Sequence, residues 1–186
     1  QPTQVHLQLK GGEKLKIGQD RILELIHVPG HSPGHMAVYD QKNRAMIVLD
    51  AVLYKGLYDM QGTIISPPPY YSIAPYLNTI DTILNYDFDV LLTGHYDVME
   101  GMEAYRFLHD SRAFVKQVEA TIEQVVRQTN QPLSLSEIYE KTNEKVGPYT
   151  AMAVELIGPV YAHLLDLEQR GLLHRTMNGK IPYWYV

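Results

Sequence analysis

Cysteine is absent from the 186 residues, which excludes disulfide frameworks, thiolate zinc sites and cysteine nucleophiles together. Any metal must therefore be held by His, Asp or Glu. A chain without cysteine sits easily in a reducing compartment, so a cytoplasmic location is expected. Long apolar runs are lacking as well: no stretch reaches the about eighteen residues a membrane span needs. The opening Gln1-Pro2-Thr3 is not a basic stretch leading into an apolar segment, so no signal peptide is visible and a soluble protein without a membrane partner is expected. Basic residues are outnumbered, 16 Lys and Arg against 21 Asp and Glu, for a formal charge of -5. That balance disfavours a protein whose main task is neutralising phosphates.

What is present, 45% hydrophobic and 20% charged residues, fits a folded globular chain. The first third reads as antiparallel strands over Glu13 to Ile17, Arg21 to His27, His35 to Tyr39 and Ala45 to Leu49, separated by Gly- and Pro-rich turns. Residues 50 to 71 show no clear period and contain Pro67-Pro68-Pro69, predicting a long surface excursion of the kind that usually serves function. Helical spacing follows from Ser72 to Leu84, and Val90-Leu91-Leu92 reads as a short buried strand ending in Thr93-Gly94-His95. A long amphipathic helix is predicted from Met102 to about Arg127. Ser134 or Ser136 is expected to cap a helix to about Lys141, Ser134 being followed three residues later by Glu137 in a capping-box pattern. A third helix is predicted from about Ala151 to Gln169, interrupted at Gly158-Pro159. Strands Leu172 to Arg175 and Pro182 to Tyr185 then flank the hairpin turn Asn178-Gly179.

The densest chemical signal is His27-Val28-Pro29-Gly30-His31-Ser32-Pro33-Gly34-His35. Two Pro-Gly pairs within nine residues forbid a helix, so the histidines are spread over a strand end, a loop tip and a strand start. Pro-Gly turns on either side would hold His31 at a sheet edge, where a neutral imidazole can coordinate a metal; ordinary turn histidines explain the cluster equally well on its own. Asp50 closes the apolar run Met46-Ile47-Val48-Leu49, and His95 closes Leu91-Leu92-Thr93-Gly94. Each polar side chain thus stands at the C-terminal edge of a buried strand, where sites cluster in layered α/β proteins.

These three elements, in order and spacing, resemble the last three metal motifs of the metallo-β-lactamase superfamily, especially its glyoxalase II-like branch. The resemblance covers residues 1 to about 109. It implies that His31 is a histidine of the first zinc site, that Asp50 is the carboxylate bridging two metals and the catalytic group that holds an activated water, and that His95 is a ligand of the second. His35 matches a structural histidine and not a ligand, and His27 is better read as a strand residue. The implied cofactor is two zinc ions, with iron or manganese also suited to such ligands. The implied reaction is hydrolysis of a small ester, thioester or lactone by a metal-bound hydroxide, which needs no protein nucleophile.

The superfamily's His-x-His-x-Asp-His motif is missing from these residues. Together with the non-Met start, this predicts that the chain is a C-terminal portion of a longer enzyme, inactive by itself. The expected fold is accordingly α/β (α+β): the C-terminal half of an αββα sandwich over residues 1–109, then a small winged-helix-like domain over 110–186. One sheet face would lie bare, to be covered by the missing upstream segment or by another chain, and a homo-oligomer is expected. The tail's resemblance rests on His163-Leu164-Leu165-Asp166-Leu167-Glu168 and Gly171-Leu172-Leu173. It raises an alternative, a nucleic-acid-binding or RNA-cleaving protein that uses the tail. Residues 110–186 hold 8 Lys and Arg against 9 Asp and Glu, so nucleic acid is disfavoured as a partner. Tyr54, Tyr58, Tyr70 and Tyr71 lie on the excursion after Asp50. There, Tyr54, Tyr70 and Tyr71 are candidates to grip a substrate through an apolar ring and a polar tip.

Overall fold

A computed structural model describes residues 6–186. Four strands form the meander expected of the first third: β1 (Lys14–Ile17), β2 (Arg21–His27), β3 (Met36–Asp40) and β4 (Ala45–Leu49). The excursion carries only a two-stranded ribbon, β5 (Leu57–Tyr58) with β6 (Ile64–Ser66). Helix α1 (Ile73–Leu84), β7 (Val90–Thr93) and β8 (Met99–Glu100) complete this part. The main sheet runs β1-β2-β3-β4-β7-β8. Its pairs are antiparallel except β4 with β7, a parallel pair that requires a crossover, here through α1.

Strand alternation sends Ile26, Ala37, Met46, Val48 and Leu91 to one face, where they meet Ile73, Tyr76, Ile80 and Ile83 of α1 and Ala104, Phe107 and Leu108 of the next helix. Each large apolar side chain buried there contributes about 1.5–3 kcal/mol against the conformational entropy of folding. The opposite face is set by the register Leu15↔Leu23, Leu25↔Val38, Val38↔Ile47 and Ile47↔Leu92, since directly paired residues project to the same side. None of these six side chains joins the helix-packed cluster. Leu15 keeps 36% of its surface, and Leu23, Val38, Ile47 and Leu92 are half-buried.

Helix α2 (Met102–Arg127) is continuous through residue 110, so the division expected at 109/110 falls inside a helix that serves two clusters. Its first half packs on the sheet. Its second half, through Phe114, Val118 and Ile122, packs with α3 (Leu135–Val146) and α4 (Ile157–Gln169) around Leu156, Leu164 and Trp184. Strands β9 (Leu133–Ser134), β10 (His174–Asn178) and β11 (Ile181–Tyr185) form a sheet in the order β10-β11-β9. Ser134 caps α3 with the full reciprocal box to Glu137.

Three boundaries differ from expectation. Helix α3 continues past Lys141 because Thr142 and Val146 are buried, and packing overrides weak helix propensity. The predicted third helix is divided: a 3₁₀ turn, Ala153–Leu156, precedes α4. Gly158-Pro159 does not interrupt α4 itself, because Pro159 lies in its first turn, where backbone N–H groups have no intrahelical partner. The hairpin starts two residues late: the Leu172 and Leu173 N–H groups donate back to the Leu167 carbonyl, 2.9 and 3.4 Å, and Leu173 is buried. Among the described residues no helix is long and apolar enough to cross a membrane.

Candidate active site

The histidine-rich loop between β2 and β3 is tied at both ends. The Val28 N–H donates to the His35 carbonyl at 2.9 Å, and His27 Nε2 donates to the Pro33 carbonyl at 2.7 Å. Gly30 lies so close to α1 that a Cβ there would come 2.6 Å from the Tyr76 backbone, so the loop tip is pressed against the helix. His31 follows, and its Nδ1–H donates to the Pro69 carbonyl at 2.9 Å. In the neutral ring that bond leaves the Nε2 lone pair free, the tautomer control seen in metal-binding histidines.

Asp50 stands just beyond β4, after Leu49, whose φ of 49° is a left-handed conformation costly for a branched side chain. The register shift beside β7 occurs at the same place. The turn that follows β7 is fixed by the Tyr96 N–H donating to Thr93 Oγ1 at 3.1 Å. Between them lies Gly94: a Cβ on it would sit 2.2 Å from Asp50 Oδ1, so the carboxylate occupies the space that a side chain would fill. His95 Nε2 then lies 3.4 Å from Asp50 Oδ1.

The structure therefore brings Asp50 and His95 together and does not bring His31 into the same cluster. Among the described residues no group of three or more His, Asp or Glu side chains is placed to enclose an ion. The His31 ring instead stands edge-on to His35, centroids 5.6 Å apart. His35 donates from Nε2 to the Val48 carbonyl at 3.2 Å. Burial pushes its pKa below the ordinary imidazole value; the Val48 carbonyl opposes that shift, His31 adds to it and Asp50 opposes it. By donor chemistry, an acceptor carboxylate, a facing imidazole and a second imidazole with a free nitrogen fit part of a metal site and not a whole one.

Of the expected substrate contacts, Tyr54 is half-buried with φ 49° and its ring lies 5.7 Å from that of Phe107. Tyr71 is 61% exposed and its ring lies over Gly158 of α4. Tyr70 departs from expectation: it is fully buried, stacked on Tyr76 at 4.8 Å with its hydroxyl 2.9 Å from His163 Nε2. It has no surface to offer a ligand, because α4 covers it.

Tyr54 and Tyr58, both noted in the sequence on the excursion after Asp50, line an open cleft of about 390 Å³ whose other walls, Tyr96, Met99 and Phe107, sequence reasoning does not single out. Its rim carries Asp97, Glu103, Arg106 and Asp110. The spacing 103, 106, 107, 110 on α2 is the signal that could have found it, since these positions share one helix face. Tyr96 is fixed by its hydroxyl, which donates to the Leu53 and Gly56 carbonyls, and burial raises its pKa.

Comparison with known proteins gives consistent matches. The metallo-beta-lactamase superfamily profile matches residues 3–95. The acyl-coenzyme A thioesterase MBLAC2 of Bos taurus is 28% identical over 110 residues, covering 57% of this chain and 37% of that protein; its Homo sapiens counterpart matches equally. A metallo-beta-lactamase family protein from Thermus thermophilus superposes with a TM-score of 0.73 at 18% identity, over 99% of this chain and 55% of that one. A beta-lactamase domain protein from Burkholderia ambifaria gives 0.74 at 20% identity, over 98% and 53%. The aligned region thus spans little more than a third of the curated relatives' length and about half of those two solved chains.

Proposed function

The chain belongs to the metallo-β-lactamase superfamily, and from that premise we propose that it is part of a metal-dependent hydrolase acting on an ester, thioester or lactone. The observation that carries this reading is the Asp50–His95 pair at 3.4 Å, seated over Gly94 at the rim of the parallel strand pair. On this reading Asp50 and His95 would hold one ion and His31, which stands apart from that pair, would serve the other, zinc or iron or manganese, with the remaining donors coming from outside these residues; Asp50 is also the group that would orient the attacking water. When bound, the ions would acidify a coordinated water and polarise the oxygen of the carbonyl under attack.

The chain's own residues do the positioning. The Pro69 carbonyl fixes the His31 tautomer. The absent side chain at Gly94 admits the Asp50 carboxylate, and the Thr93–Tyr96 turn presents His95. A glyoxalase II-like kinship, a winged-helix reading of α3, α4 and the β10–β11 hairpin, and a cytoplasmic site belong to the same proposal. So does cover for the half-buried sheet face around Val38 and Ile47 by an upstream segment or another copy of the chain. The thioesterase relatives support the thioester among the three substrate classes.

Zinc titration of the metal-free chain, followed by calorimetry, tests the site. Saturable uptake is expected, weakened at least about tenfold in Asp50→Asn and in His95→Ala. Uptake indifferent to both substitutions would overturn the assignment. No turnover of thioester substrates is expected from the chain alone.

A further inference from the structure

The cleft beside these residues has a chemistry of its own. Two segments build its walls: Tyr54 and Tyr58 follow Asp50 in the chain, Tyr96 and Asp97 follow His95, and α2 closes the remaining side with Phe107. The rings form a connected set, with Tyr96 5.1 Å from Phe107 and 6.3 Å from Tyr58 by centroid. Aromatic faces carry negative potential and attract a cation placed within about 6 Å of the ring centroid. Tyr54 already does so, with the Lys55 ammonium 5.4 Å from its ring centroid. The rim adds three carboxylates, Asp97, Glu103 and Asp110, against one guanidinium, Arg106. Counting Lys55 as well, negative charge remains in excess by one. A coenzyme A group, with its several phosphate charges, meets repulsion at such a rim, whereas a cation meets both rings and carboxylates.

We propose that this aromatic, acid-rimmed cleft binds a compact organic cation, a quaternary or tertiary ammonium group. Its use as the recognition pocket for one end of the ester or thioester substrate rests on the hydrolase reading; the binding itself does not. The size is suitable: about 390 Å³ lies in the range of small-molecule sites and exceeds the need of a trimethylammonium head. Discrimination comes from charge and not from shape, because a neutral isostere fills the same volume without drawing on the ring faces or the rim.

The test is a titration of the chain with choline and with its neutral isostere 3,3-dimethylbutan-1-ol, following the tyrosine ring resonances. Saturable shifts are expected with choline, at least tenfold weaker with the isostere, and weakened again by added salt. The exposed-rim variant Asp97→Asn/Glu103→Gln/Asp110→Asn should lose most of the choline response, while Arg106→Gln should tighten it. A circular-dichroism melt confirms that each variant folds. Equal binding of the two probes, no response to choline, or tighter binding of coenzyme A that Arg106→Gln abolishes would each overturn the proposal. Choline titrations of Asp50→Asn separate the two readings: they should match the parent chain whether or not zinc uptake survives.

Discussion

Replacing Gly94 by Ala should disable the candidate metal site while leaving the fold intact. A Cβ at position 94 would stand 2.2 Å from Asp50 Oδ1, and ordinary contact begins at 3.4 Å, so the oxygen must withdraw by about 1.2 Å. The obstructing atom is the end of a half-buried side chain and not backbone, so rotation of Asp50 relieves the clash cheaply. Gly94 is exposed and its φ lies outside the left-handed region, so alanine also gains about 0.4–1 kcal/mol by restricting the unfolded chain. Stability should therefore change by no more than about 1 kcal/mol. The withdrawn carboxylate, in contrast, loses its 3.4 Å contact with His95, and zinc affinity should fall about 10–100-fold. Urea unfolding and zinc calorimetry on the same protein separate the two effects. In the double variant with Asp50→Asn the losses should not add, since both act through one carboxylate. Unchanged zinc affinity in Gly94→Ala, or additive losses in the double variant, would refute the argument.

Two further outcomes concern the tail. The His163 ring at 3.8 Å and the Arg170 guanidinium at 2.9 Å hold the Glu119 pKa down to about 2 against the effect of burial; at 3.8 Å the ring is beyond hydrogen-bonding reach, so Arg170 is the firmer partner. A depressed carboxylate stabilises the fold above its unfolded value near 4.5 and loses that contribution as pH falls toward 2, about 1–2 kcal/mol after solvent screening. Glu119→Gln should flatten the acid limb of a stability-versus-pH curve over that window, and an unaltered limb would contradict the pairing. Trp184 is fully buried in the cluster formed by α2, α3 and α4; Trp184→Ala should cost about 3–5 kcal/mol in chemical denaturation, and a loss below 1 kcal/mol would show that the cluster is not load-sharing there.

Local sequence was enough for whatever depends on near neighbours. Alternating apolar residues and Pro-Gly turns set the four-strand meander. The Ser134–Glu137 spacing set a helix start, and the placement of Asp50 and His95 after apolar runs put both at strand ends. These are short-range consequences of backbone hydrogen bonding and side-chain periodicity, legible within a window of ten residues. Long-range packing settled what depends on chain segments far apart. Tyr70 looks in sequence like its neighbour Tyr71, yet α4, ninety residues on, buries one and leaves the other exposed. Gly94 reads as an ordinary loop glycine until the crossover through α1 lays β7 beside β4 and aims Asp50 at it. The aromatic cleft requires three segments, around residues 54, 96 and 106, to meet. Such juxtapositions arise from packing helices on a sheet whose strand order is not the chain order, and no local pattern encodes that order.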